Sequence, residues 1–303
     1  MPNTDSAITV ERLTYFPVKG CAGTDVVSAA LVETGLLHDR TFMIVDAVDG
    51  SFRSQRTLPA MAAVRPEILD GGARLRLAAD GVETLVVEVD PEAGRRAVSM
   101  FGKPIGEGAD QGDTVAEWFS EVLGAASRLV RAVPGYDRDG WGETPGKVAF
   151  ADAHALLIVS RASLDGLNAR IEAHGGRPVP MDRFRPNIVL GGCAEPHTED
   201  GMRGLEAGSV RLAYAVRATR CAVPMVDQTT GVRAGPEPIR TLAGYRREPE
   251  YDNKVSFGVK AAVARPGTLT VGDRVRVTRW APPPPAPAGS APGGAAGGVD
   301  QRP

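Results

Sequence analysis

Short runs of alternating apolar and polar residues recur along the chain, each closed by turn residues. Arg74-Leu-Arg-Leu77 and Val82-Glu-Thr-Leu-Val-Val-Glu-Val89 place alternate side chains on one face, and Asp70-Gly-Gly72 and Asp80-Gly81 bound them. A period of two lets a strand bury one face and wet the other, and short strands with turn signals at this spacing suggest an all-β barrel or sandwich. Thr41-Phe-Met-Ile-Val45 and Ala155-Leu-Leu-Ile-Val159 are apolar throughout and predict buried strands. Asn187-Ile-Val-Leu190, Val210 to Val216 and Val271 to Val277 predict further strands.

Three segments have helical spacing instead. Val115, Trp118, Phe119, Val122 and Leu123 share one face, with Asp113 as the expected cap and Gly124 as the stop. Ser160 caps a second helix with Leu164, Leu167 and Ile171 inward, ending at Gly175-Gly176. Pro238 opens a short third one through Tyr245, with Ile239 and Leu242 inward. Trp118 and Phe119 read as core. Residues 134–147 read as a glycine-rich linker with Tyr136 and Trp141 exposed. From Ala281 the chain turns to Pro, Gly and Ala, which lack the apolar bulk to offset ordering, so disorder is expected there. Many strands with a few segregated helices indicate an α+β, mostly β, fold.

Composition narrows the classes. A chain of 303 residues, 43% of them apolar, can fill one large core or two ordinary ones. A net charge of -2 gives no general affinity for nucleic acid or an anionic membrane. Cys21, Cys193 and Cys221 are widely spaced and odd in number, which argues against a disulfide framework and for a reducing compartment. There is no basic leader and no apolar run near the ~20 residues of a membrane span, so a cytoplasmic protein is expected. No G-x-S-x-G, P-loop, H-E-x-x-H, zinc or iron–sulfur spacing occurs, and no G-x-G-x-x-G opens a helix. Redox chemistry would require a cofactor brought in from outside.

The candidate chemistry centres on Cys221, in Arg217-Ala-Thr-Arg-Cys-Ala-Val-Pro224 directly after an expected strand. Positive neighbours favour the thiolate, the form that attacks electrophiles or binds soft metals. A small buried hydrophobe is the equal alternative. Lys19, Arg40 and Arg185 each abut a strand, where a cation is held firmly enough to grip an anion; alone, each reads more simply as a surface charge. Asn187 adds an amide beside Arg185. Asp152, ahead of a buried strand, is expected to be buried with a partner, and His154 to be structural.

Five segments occur together in order. They are Tyr15-Phe-Pro-Val-Lys-Gly-Cys21, Gly35-Leu-Leu-His-Asp-Arg-Thr-Phe-Met-Ile-Val45, Phe184-Arg-Pro-Asn-Ile-Val189, Thr219-Arg-Cys221 with Val226-Asp-Gln-Thr-Thr-Gly231, and Pro266-Gly-Thr-Leu-Thr-Val-Gly-Asp273. With them the chain resembles a MOSC-domain protein carrying the associated N-terminal β-barrel, as in the molybdenum amidoxime-reducing proteins and their bacterial relatives. The resemblance implies a β-barrel domain over residues 1–133, a MOSC domain over 134–280 and a tail over 281–303. It implies a molybdopterin-type molybdenum cofactor between the domains, with Cys221 as the protein ligand to molybdenum. Lys19, Gly20, Arg40, Arg185 and Asn187 match positions that hold the pterin and its phosphate, and Asp152 and Thr219 match positions near it. Gly20 stands where mitochondrial relatives have serine, which leaves a backbone contact, and Pro224-Met225 replaces threonines. The implied activity is reduction of N-hydroxylated compounds such as amidoximes, hydroxylamines or N-hydroxylated bases. Electrons would come from a separate redox protein: a flavoprotein, a ferredoxin or a b-type cytochrome. MOSC domains also end the molybdenum cofactor sulfurases, which implies a second role: a sulfur carrier or cofactor-transfer protein with a persulfide on Cys221. Cys21 and Cys193 are expected to be structural.

Overall fold

The structure, a computed structural model, describes residues 7–282. The alternating runs pair as their period requires. Arg74–Ala79 lies between Arg65–Leu69 and Val82–Glu88 in an antiparallel sheet. Leu75 and Leu77 point inward from it onto Trp118 and Phe119 of the helix Asp113–Leu123. The Trp118 indole is buried and donates its one N–H to the Glu83 carbonyl at 2.7 Å, so the ring adds apolar area without orphaning a donor.

Asp113 is not the cap of that helix. Gly112 occupies the cap with a φ of 92°, and its N–H donates to Asp110 at 3.1 Å. The turn is therefore closed one residue early, and Asp113 instead pairs with Arg128 at 2.9 Å. Gly124 ends the helix in the left-handed region. Ser160 caps the helix Arg161–Ala173 as expected, accepting from the Ser163 N–H, and Leu164, Leu167 and Ile171 are buried.

The main sheet takes strands from both parts of the chain. Val275–Trp280, Met202–Ala207, Val210–Thr219, Lys254–Arg265, Leu156–Ser160, Ile188–Gly191, Thr9–Tyr15 and Thr24–Val26 follow one another across it. Leu156–Ser160 and Ile188–Gly191 run parallel, joined by the helix Arg161–Ala173. A second sheet runs Arg95–Met100, Lys103–Asp110, Ser127–Ala132, Phe42–Asp46, Val18–Lys19. Among the described residues no sheet closes on itself by hydrogen bonding, and no helix is long and apolar enough to cross a membrane.

Two expectations change. The strand expected from Val271 begins at Val275, because Asp273 accepts from the Thr270 N–H at 2.9 Å and Gly272 has a φ of 95°, which makes a turn there. Residues 134–147 are more than a linker. Asp139–Gly140 pairs with Gly146–Lys147. Tyr136 is half-buried, its ring 5.3 Å from Phe150 and its hydroxyl donating to Ile105 at 2.7 Å. Trp141 is exposed as expected. The tail read from residue 281 lies outside the described residues from 283 on.

The two parts meet closely at Gly231. Its φ is 67°, and a Cβ there would lie 2.9 Å from the Ala60 Cα in the turn Pro59–Ala63. Gly231→Ala is expected to lower stability by roughly 1–3 kcal/mol, from strain plus backbone displacement. A reduced urea midpoint at unchanged slope checks this; an unchanged midpoint would mean the two parts are not held here.

Candidate functional site

A cavity of about 640 Å³ lies between the two parts of the chain. Lys19, Gly20 and Arg40 line it from the first part, and Asp152, Arg185, Thr219 and Cys221 from the second. Strand ends deliver them. Lys19 closes the short strand Val18–Lys19, and Arg40 precedes its parallel partner Phe42–Asp46. Thr219 ends the strand Val210–Thr219, and Cys221 follows it. Arg40 and Arg185 both have left-handed φ values, 47° and 56°, which a non-glycine residue holds only when its surroundings fix it. The Arg40 N–H donates to Phe16 at 2.7 Å and the Arg185 N–H to Asp182 at 3.1 Å, which fixes both turns.

The wall is strongly one-signed. Among the described residues it carries nine basic side chains, Lys19, Arg40, Arg53, Arg56, Arg185, Arg217, Arg220, Lys254 and Lys260, against one carboxylate, Asp152. Asp152 is not buried as expected: 52% of its side chain is exposed, and it opens onto the cavity. Crowding by protein would by itself raise its carboxyl. Lys19, Lys260 and Arg40 outweigh that and hold it below the ordinary carboxylate range. Lys19, buried, forms the ion pair with Asp152 and donates to the Phe150 carbonyl at 2.8 Å. Burial lowers its ammonium, with Asp152 opposing. Burial and neighbouring Arg40 bring Arg185 down to about 9. Both guanidiniums lie over the Phe16 ring, 4.5 Å and 4.3 Å from its centroid, a contact that offsets part of their mutual repulsion.

Asn187 is not in the wall. Its Oδ1 accepts from Arg40 at 2.8 Å and from the Leu157 N–H at 3.1 Å. Its Nδ2 donates to the Thr14 carbonyl at 3.1 Å and to Asp39 at 3.0 Å. Both its donors and its acceptor are thus in use, so Asn187 acts on the cavity through Arg40 and not by contact with a ligand. Asp39 completes the bracket by accepting from Arg40 at 2.6 Å and from the Phe16 N–H at 2.8 Å.

Several residues that sequence reasoning passed over belong to the site. Gln55 and Gln228 exchange amide hydrogen bonds at 3.1 and 2.9 Å between the two parts. Gln55 also donates to the Gly20 carbonyl at 2.6 Å, and Gln228 accepts from Arg185 at 3.0 Å. Gly20 has a φ of 86°, and a Cβ there would lie 2.7 Å from the Met61 Cε, so glycine suits this backbone. Arg220 donates to the Phe184 carbonyl at 2.8 Å, but its buried Nε has no partner. Arg217 is paired away from the cavity with Asp200. Lys260 was legible as the lone charge in the apolar run Val255 to Val263. Burial, with Arg40, Arg220 and Lys19, brings its ammonium down to about 7 against the pull of Asp152.

His154 is fully buried and structural: its Nδ1 accepts from the Ala155 N–H at 3.0 Å, which leaves Nε2 to donate to Thr144 at 3.1 Å. Burial pushes the Cys21 thiol up to about 12 and the Cys193 thiol up to about 11. Cys221 is partly exposed and lines the cavity.

A mostly β fold with a cation-walled thiol between its two parts defines the class, a two-part MOSC protein. The MOSC N-terminal beta barrel domain matches residues 7–126 and the MOSC domain matches residues 145–276. The chain belongs to the MOSC-domain family, in the arrangement that carries the N-terminal barrel domain. Mitochondrial amidoxime-reducing component 1 of Mus musculus is 32% identical over 285 residues, which span 88% of this chain and 81% of that one. Mitochondrial amidoxime reducing component 2 of Rattus norvegicus is 32% identical over 291 residues, spanning 82% of its length. Molybdenum cofactor sulfurase of Danio rerio is 31% identical over 292 residues, which are 34% of that longer protein. The function of the chain is therefore related to the molybdenum cofactor.

Two outcomes check the geometry. Iodoacetamide at pH 8 should alkylate Cys221 and spare Cys21 and Cys193; mass mapping that finds Cys21 labelled in folded protein would contradict the burial. Asn187→Ala takes their partner from the Leu157 N–H and the Thr14 carbonyl, while Asp39 keeps Phe16 and Arg40, and should lower stability by about 2–4 kcal/mol, at 1–3 per buried unmet group with partial rescue by water. The urea midpoint reads it, and a change under half a kilocalorie, about the size of an ordinary surface substitution, would remove the bracket role.

Proposed function

We propose that the cavity holds a molybdopterin-type molybdenum cofactor and that the protein reduces N-hydroxylated compounds with electrons from a separate redox protein. The observation that carries this reading is a single cavity thiol, Cys221, set in a wall of nine cations and one carboxylate. The residues fit the group. Among the described residues no three His, Cys, Asp or Glu side chains gather to hold a bare metal ion. One soft sulfur ligand in a cationic wall suits a metal that arrives on an anionic ligand of its own. The unpartnered Arg220 Nε adds a donor available to that ligand.

In this reading Lys19, Arg40 and Arg185 grip the phosphate, Arg40 and Arg185 as forks and Lys19 as a point charge. Asp152, held ionised, accepts from the N–H groups of a heterocycle. Gly20 offers backbone, Thr219 a hydroxyl, and Cys221 the sulfur ligand. When bound, the cofactor supplies the two-electron oxygen-removing chemistry that no side chain can carry. The protein fixes orientation and charge around it, and the half-exposed Trp141 and Phe101 border the open side of the cavity. The amidoxime-reducing relatives support N-hydroxylated compounds as the substrate class.

The sulfurase relatives favour a second reading, in which Cys221 carries a persulfide and the chain hands on sulfur or cofactor. One preparation separates the two. Protein from a cofactor-competent host should contain stoichiometric molybdenum and reduce benzamidoxime with a chemical electron donor. Cys221→Ser should lose the metal while keeping the melting temperature of metal-free wild type. A metal-free wild type overturns the reductase reading, and a one-sulfur mass adduct on Cys221 would establish the carrier.

A further inference from the structure

We propose that Lys260 is the proton donor of this reduction, delivering its ammonium proton to the hydroxyl oxygen that leaves the substrate as water. The role rests on the function proposed above. Lys260 comes from the middle of the strand Lys254–Arg265, between Val210–Thr219 and Leu156–Ser160. Its register partners there, Val216 and Leu157, are buried. Lys260 itself is partly buried, and an ammonium drawn partly out of water in such a strand is ordinarily given a carboxylate or carbonyls. Among the described residues the Lys260 Nζ has no hydrogen bond and no ion pair, and its side chain lines the cavity.

The groups facing it come from every neighbouring element. Lys19 and Arg40 approach from the first part of the chain, and Arg220 from beyond the adjoining strand. His154 lies behind the wall with its Nε2 committed to Thr144. Asp152 is the one carboxylate, and it is already paired with Lys19. Burial, with three cations against one shared anion, brings the ammonium to about 7, where a group both holds a proton and releases it at neutral pH. Neither Lys19 nor Arg185 qualifies. Lys19 is tied to Asp152 and to the Phe150 carbonyl, and Arg185 stays near 9 and donates to Gln228.

R–NH–OH, two electrons and two protons give R–NH2 and water. The N–O bond breaks, and the donor protein supplies the electrons. Lys260 protonates the departing oxygen and cavity water protonates the nitrogen. The neutral amine then regains its proton from solvent.

The test uses molybdenum-loaded protein. Reductive methylation with formaldehyde and cyanoborohydride, read by peptide mass across pH, should modify Lys260 with a midpoint near neutrality, well below that of exposed Lys103. The kcat for benzamidoxime with reduced methyl viologen should fall on the alkaline side at the same midpoint. Lys260→Gln should keep its molybdenum, lose kcat by about 100-fold and lose the alkaline limb. Lys260→Arg keeps the charge without a transferable proton and should stay equally slow. A wild-type kcat in Lys260→Arg, or a methylation midpoint equal to that of Lys103, overturns the proposal and leaves Lys260 as a fixed charge. Failure of the wild type to turn over would overturn the reductase reading itself, and this role with it.

Discussion

Repulsion among nine basic side chains around one cavity is the constraint on which the rest of the structure depends. Two unit charges 4 Å apart interact by about 4 kcal/mol near a protein surface, and Asp152 is the only carboxylate in that wall among the described residues. Folding holds the cluster together by committing parts of most of these cations elsewhere. Arg40 is tied to Asp39 and Asn187, Arg185 to Gln228, Arg220 to the Phe184 carbonyl and Arg217 to Asp200. What remains is a preformed field for an anion, whose arrival would relieve the repulsion and stabilise the fold by mass action.

The same contacts join the two parts of the chain. Asn187 brackets Thr14, Asp39, Arg40 and Leu157. Gln55 and Gln228 clasp each other across the junction. Because Thr9–Tyr15 pairs with Ile188–Gly191, the first strand of the chain belongs to the main sheet. The cavity is therefore built on strand ends and bracketed turns and not on free loops, which is how a site keeps its geometry before its ligand arrives.

Local pattern made much of the fold legible. Strands followed from period two bounded by Asp-Gly turns, and helices from period 3.6 with Ser160 and Gly124 at their ends. Cys221, Lys19, Arg40 and Arg185 stood out because each lies beside an expected strand. What stayed hidden depends on partners remote in sequence. Nothing local to Asn187 announces Thr14 or Asp39, and Gln55 lies 173 residues from Gln228. Asp113 misled because Asp110 had already closed the turn through Gly112. Tyr136 misled because a polar, glycine-rich setting conceals Phe150 behind it. Lys260 was readable as a lone charge in a buried strand, but only the surrounding cations give it meaning.

The cavity is in this account an anion site assembled in advance. This is tested most directly by the melting temperature of metal-free protein titrated with inorganic phosphate, against sodium chloride at matched ionic strength. The expected result is a rise that grows with the logarithm of phosphate, exceeds the chloride response, and disappears when Arg40 and Arg185 are both changed to glutamine. Equal responses to phosphate and chloride, or a phosphate response that survives loss of both arginines, would contradict it.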